Sequence, residues 1–138
     1  MKLVICFLLC FTTLFTNPVN SSVEKNGISP YLNNSVSVST NFSINSNGIA
    51  QVILNYDGNN QQSAGAKITT QLQKRFLLVF WTNVDGGYWV DESNQSSYTA
   101  IHTLAVEKGT YRVNVEYLLY GTDGSTETVS DQVEYTYK

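Results

Sequence analysis

Few side chains in this sequence can do chemistry. His102 is the only imidazole among 138 residues. A zinc site takes three or four nitrogen or sulfur ligands, and one histidine cannot supply them. A Ser-His-Asp triad can be written through His102, but the sequence contains no Gly-x-Ser-x-Gly elbow to present the serine. His102 also keeps period-two register with Ala100 and Leu104, which reads as a partly buried strand histidine. Asp85, Asp91 and Glu92 are close in sequence, and a glycosidase sets two carboxyl groups across a cleft. A 15.4 kDa chain has little material to enclose a sugar ring, so these read as solvated loop charges. Asp57-Gly58-Asn59-Asn60, Asp85, Asp91-Glu92 and Asp123 offer hard oxygen donors for calcium, none at EF-hand spacing. The expectation is no catalytic residue, no metal and no cofactor.

Aromatic residues are the better candidates. Tyr88 and Trp89 follow Gly86-Gly87 in a polar segment and are the expected ligand-binding residues. Flat aromatic faces stack on sugar rings and anchor protein contacts. The competing reading has Trp89 folding back to cap one end of the domain. Trp81 and Leu77 share one face of the apolar run Phe76–Val84. Leu118 and Tyr120, with Arg112, Asn114 and Glu116, offer a mixed outer patch on a later strand. The partner these residues suit is an unknown glycan or protein.

Lys plus Arg number 8 and Asp plus Glu 11, for a net charge of −3 and a pI near 4.9. Nucleic-acid binding through phosphates needs a basic face, so that class is excluded. Charged residues at 14 % and aromatics at 12 % argue against a disordered chain. The N-terminus sets Met1-Lys2 before the apolar stretch Leu3–Phe15, followed by small and polar residues to Ser22. That is the layout of a secretory signal, with cleavage expected after Ser21. The apolar stretch spans about 20 Å as a helix, short of the roughly 30 Å of a bilayer core, so no membrane span is expected after cleavage. Cys6 and Cys10 both lie inside it, which leaves the secreted chain without cysteine. The expected organisation is a signal peptide over 1–21, a flexible leader over 22–34 and one domain over 35–138.

From Ser35 the pattern has period two. Val36 to Ile44 and Ala50 to Tyr56 alternate around the turn Asn45–Gly48, giving a hairpin. Asp57–Gly65 reads as a polar loop, and Ile68, Thr70 and Leu72 begin a third strand that Lys74-Arg75 interrupts. Phe76–Val84 is apolar on both faces, so it reads as a strand that is central or covered. Asp85–Ser97 reads as a long loop. Tyr98–Val106, Tyr111–Leu119 and Val129–Tyr137 resume the alternation, the last two joined by a hairpin turn at Gly121–Gly124. Seven to eight antiparallel strands without helical periodicity predict an all-β Greek-key β-sandwich, with an up-and-down barrel as the alternative.

The segment Leu104 to Val115, with Gly109-Thr110-Tyr111 at its centre, resembles the join between the fifth and sixth strands of immunoglobulin-like and fibronectin-III-like domains. There a tyrosine turns its hydroxyl back onto upstream backbone, and Tyr111 matches that position. The chain departs from antibody domains in lacking the cysteine pair and the third-strand tryptophan. More broadly, Ile28–Tyr31 and Lys108–Val113 resemble segments of small secreted immunoglobulin-like proteins of Gram-positive bacteria, a family of unknown function. The resemblance implies a secreted module and transfers no catalytic residue. The expected function is a non-enzymatic binding or surface-interaction module. A structural or self-associating protein that uses free sheet edges is the alternative. A small secreted effector stands behind both.

Overall fold

Wherever one face of a strand is buried, every second side chain must be apolar, and this alternation builds the fold. A computed structural model describes residues 37–138; the expected signal peptide, the leader and residues 35–36 lie outside the described residues. Among the described residues there are seven strands and no helix: β1 (Ser37–Ile44), β2 (Ile49–Asp57), β3 (Ser63–Phe76), β4 (Phe80–Ser93), β5 (Ser97–Ala105), β6 (Gly109–Gly121) and β7 (Thr126–Tyr137). All pair antiparallel, in a three-stranded sheet of order β1-β2-β5 and a four-stranded sheet of order β4-β3-β6-β7. Neither β1 with β7 nor β4 with β5 forms a ladder, so the strands close no barrel.

The inward faces meet in one core. Val52, Leu54 and Tyr56 of β2 and Ile68 and Leu72 of β3 are buried, as are Val113, Tyr117 and Leu119 of β6. Tyr117 bonds the two sheets directly. Its hydroxyl donates to the Ser39 carbonyl at 2.9 Å and lies 2.9 Å from Thr40 Oγ1. A phenol has one proton, so Thr40 is the donor in the second bond. At the other end of β6 the Tyr111 hydroxyl donates to the Glu107 carbonyl at 2.8 Å and ties down the β5–β6 connection.

Two expectations fail, both around β4. Lys74-Arg75 does not interrupt a strand: both lie within β3, and the chain reverses over Leu77–Val79, pairing Phe76 with Phe80. A turn built of Leu-Leu-Val carries none of the Gly, Asn or Asp that ordinarily marks one. Among the described residues Phe76–Phe80 are therefore neither central nor covered, and only Val84 of the apolar run packs against the core. Asp85–Ser97 is likewise no long loop, because β4 continues to Ser93 and only residues 94–96 connect it to β5. Between the pairs Gln71–Tyr88 and Gln73–Asn83 the register shifts, and residues 84–87 bulge opposite Leu72. Gly86-Gly87 marks this bulge within a strand.

The turn is strained. Leu77 and Leu78 have φ of 48° and 67°. A left-handed residue with a Cβ costs about 1–2 kcal/mol, against a smaller entropic cost for glycine. Leu77→Gly and Leu78→Gly should each stabilise the fold by about 0.5–1 kcal/mol. Thermal unfolding measures this; destabilisation by both variants would show that the tip is relaxed.

Candidate functional site

Strand geometry separates the two residues expected to bind together. Neighbours on a strand point to opposite faces. Tyr88 stands on the outer face of the four-stranded sheet, 60 % exposed. Trp89 points inward, is partly buried against the core, and stacks on His102 with ring centroids 4.9 Å apart and planes 8° from parallel. A loop can turn both side chains to one surface; β4 divides them.

Trp89 belongs instead to a cluster between the unladdered edges of β4 and β5. His102 Nε2 lies 2.7 Å from Asp91 Oδ2, and the Tyr98 hydroxyl donates to Asp91 Oδ1 at 3.5 Å. Burial, and then the adjacent Asp91 carboxylate, push the Tyr98 phenol above its ordinary pKa. Asp91 was expected as a solvated loop charge; here its side chain is only 12 % exposed. Among the described residues no serine or threonine hydroxyl bonds to His102, and no three His, Cys, Asp or Glu side chains gather to hold a metal. Geometrically the cluster ties one sheet to the other where no ladder does. Asp91→Ala leaves the His102 nitrogen and the Tyr98 hydroxyl without this partner, and should cost about 1–3 kcal/mol. Urea unfolding followed by tryptophan emission reads this directly, and a wild-type midpoint would remove the cluster's structural role.

A second group covers the outer face of the four-stranded sheet. Gln73 Oε1 accepts from Arg112 Nε at 2.8 Å and from Asn114 Nδ2 at 3.0 Å, while Gln73 Nε2 donates to Asn83 Oδ1 at 2.8 Å. The Arg75 and Arg112 guanidinium carbons lie 4.7 Å and 4.3 Å from the centroid of the Trp81 ring, within cation–π range. Arg112, Asn114, Glu116, Leu118 and Tyr120 alternate with the buried residues of β6, so the mixed outer patch read from the sequence exists.

The third feature is the β3–β4 tip. Phe76, Leu77, Leu78, Val79 and Phe80 are 56 %, 69 %, 86 %, 71 % and 61 % exposed. Single exposed apolar residues are ordinary, whereas five consecutive ones at a projecting turn are not. Behind them stand Lys74, Arg75, Trp81 and Arg112. The signal for this site is present in the sequence as an uninterrupted apolar run, whose two apolar faces read as a central or covered strand.

Together these features define a small all-β module of two facing antiparallel sheets, with an apolar hairpin projecting from one end. Neither a protein-family model nor a curated protein matches the chain. No helix of the described residues is long and apolar enough to cross a membrane.

Proposed function

We propose that the chain is a secreted, non-enzymatic interaction module of immunoglobulin/fibronectin-III type that engages its partner through the β3–β4 tip. The fold assignment is supported by the strand orders β1-β2-β5 and β4-β3-β6-β7 and by the Tyr111 hydroxyl bond to Glu107. The functional reading is carried by one observation: Phe76–Phe80 are all more than half exposed. Exposed apolar clusters favour association, and backbone strain is retained where function needs it.

A glycan reading has its own support. Tyr88 and Trp81 share the outer sheet face with the amides of Gln71, Gln73, Asn83 and Asn114, the mixture of flat rings and hydrogen-bonding groups that a sugar takes. One experiment separates the two. The purified chain is tested for retention on intact Gram-positive cells and on insoluble glycans, beside Leu78→Asp and Tyr88→Ala. Loss in Leu78→Asp alone supports the tip. Loss in Tyr88→Ala alone moves the site to the sheet face, and no retention of wild type on any surface overturns both.

A further inference from the structure

We infer that the β3–β4 tip docks on an anionic lipid bilayer, with Phe76–Phe80 entering the interfacial layer and Lys74, Arg75, Lys108 and Arg112 lying over the headgroups. This rests on the interaction reading above and names its partner. Shape is the first argument. The last β3–β6 pair is Lys74–Tyr111, whereas β3 and β4 continue to the pair Phe76–Phe80. β6 and β7 stay paired to Gly109–Tyr137, level with Phe76, so the turn Leu77–Val79 is what reaches past the sheet, as a short apolar prong. A protein partner would need a matching groove, while a bilayer accepts a prong without one. Only Val79 N–H finds a partner inside the turn, the Leu77 carbonyl at 2.8 Å. Backbone groups left open at such a turn need water or headgroups, which sets the depth at the interface and not in the hydrocarbon.

Charge is the second argument. The chain is acidic as a whole, but its charges are segregated. Five of the six basic side chains in residues 37–138 lie at the tip end: Lys74 and Arg75 on β3, Arg112 at the start of β6, Lys108 in the β5–β6 loop and Lys138 just after Tyr137, the partner of Gly109. Three of the ten carboxylate side chains of the same residues share that end, Glu107, Glu134 and, in the β4 bulge, Asp85. Glu107 pairs with Lys74 at 3.4 Å and Glu134 with Arg75 at 2.9 Å, leaving Lys108, Arg112 and Lys138 without an ion pair among the described residues. The remaining acids lie along the body or at the far end, where an anionic surface repels them. A negatively charged bilayer thus turns the molecule tip-first. Trp81 lies just behind the prong against two guanidinium groups, the amphipathic aromatic that bilayer interfaces favour.

The test is flotation of the purified chain with vesicles of equal parts phosphatidylglycerol and phosphatidylcholine, beside vesicles of phosphatidylcholine alone. Wild type should float with the mixed vesicles, about tenfold or more weaker with the neutral ones, and lose affinity as salt rises. Leu78→Asp should abolish binding; Leu78 is almost fully exposed, and an unfolding temperature no lower than that of wild type verifies the fold. Lys108→Gln should weaken binding about fivefold. Absence of wild-type binding to the mixed vesicles, or equal binding by Leu78→Asp, overturns the inference. If wild type ignores vesicles yet Leu78→Asp loses retention on cells, the lipid partner is wrong and the interaction reading stands with a protein partner. If wild type ignores vesicles and its size depends on concentration until Leu78→Asp is introduced, the partner is a second copy of the chain.

Discussion

Tyr117→Ala should destabilise the fold by about 3–5 kcal/mol, the largest effect of any single side-chain truncation proposed for this molecule. The ring is fully buried, and its removal leaves a cavity between the sheets while Thr40 and the Ser39 carbonyl lose their shared partner. Tyr117→Phe keeps the ring and removes only the hydroxyl, so it should cost about 1–3 kcal/mol near neutral pH. The two variants also differ from wild type in alkaline behaviour. Burial first, opposed by the Thr40 hydrogen bond, pushes the Tyr117 phenol from 10.0 up to about 12. The folded chain then holds this proton over a window in which the unfolded chain has released it. Stability from this source is complete below pH 10 and is lost as pH rises through about 12. The full loss amounts to roughly 2–3 kcal/mol. Other tyrosines titrate in the same range, so the informative quantity is the difference between wild type and Tyr117→Phe. Urea unfolding across that window should show a steeper decline for wild type, and parallel declines would refute the assignment.

Gly65→Ala should cost about 2–3 kcal/mol or more, through backbone rather than side chains. Gly65 sits where the β3–β6 register slips and has φ of 146°. A Cβ there would collide with the Ser93 carbonyl oxygen and approach the Asn94 Cα to 2.9 Å. Both are main-chain atoms and cannot swing aside, so the end of β4 would have to separate from β3. Gly124 supplies the control. It also has positive φ, 83°, but a Cβ there meets nothing within 4 Å. Gly124→Ala should therefore cost only about 1 kcal/mol of conformational strain. Equal unfolding midpoints for the two variants would mean that the strands relax around the new methyl group.

Much of the fold was legible because half-buried strands leave a period-two trace. β1, β2, β5 and β6 were readable from Val38–Ile44, Ala50–Tyr56, Tyr98–Leu104 and Tyr111–Leu119. The trace failed where its physical cause was missing. At Leu77–Val79 the chain turns without turn residues, and the apolar side chains there are exposed, so their run answers to no core. At residues 84–87 the bulge shifts the pairing, and a shift of register exchanges the faces of everything beyond it. Tyr88 and Trp89 part because neighbours on any strand face opposite ways, and the bulge decides that Tyr88 is the one turned outward. The Asp91–His102 contact and the basic collar were invisible for another reason. Lys74, Lys108 and Arg112 are brought to one end only by antiparallel pairing and strand order, which no local pattern encodes.

The placement of β3 has a mechanical consequence. This strand carries the tip at one end, and it is bonded on both sides, to β6 from Ser63 to Lys74 and to β4 from Ala66 to Phe76. Tension applied at Leu78 runs along the strand axis, while the inter-strand bonds lie across it. Such a ladder is loaded in shear: its bonds share the force and yield together instead of opening one after another like a zipper. The β3–β4 hairpin lies at the edge of its sheet, with β4 outermost, but its inner strand β3 is paired to β6 along most of its length. Mounted on β3, the prong passes tension into the four-stranded sheet as a whole, and a single-molecule pull from Leu78 should meet a higher rupture force than one that peels β7 from β6.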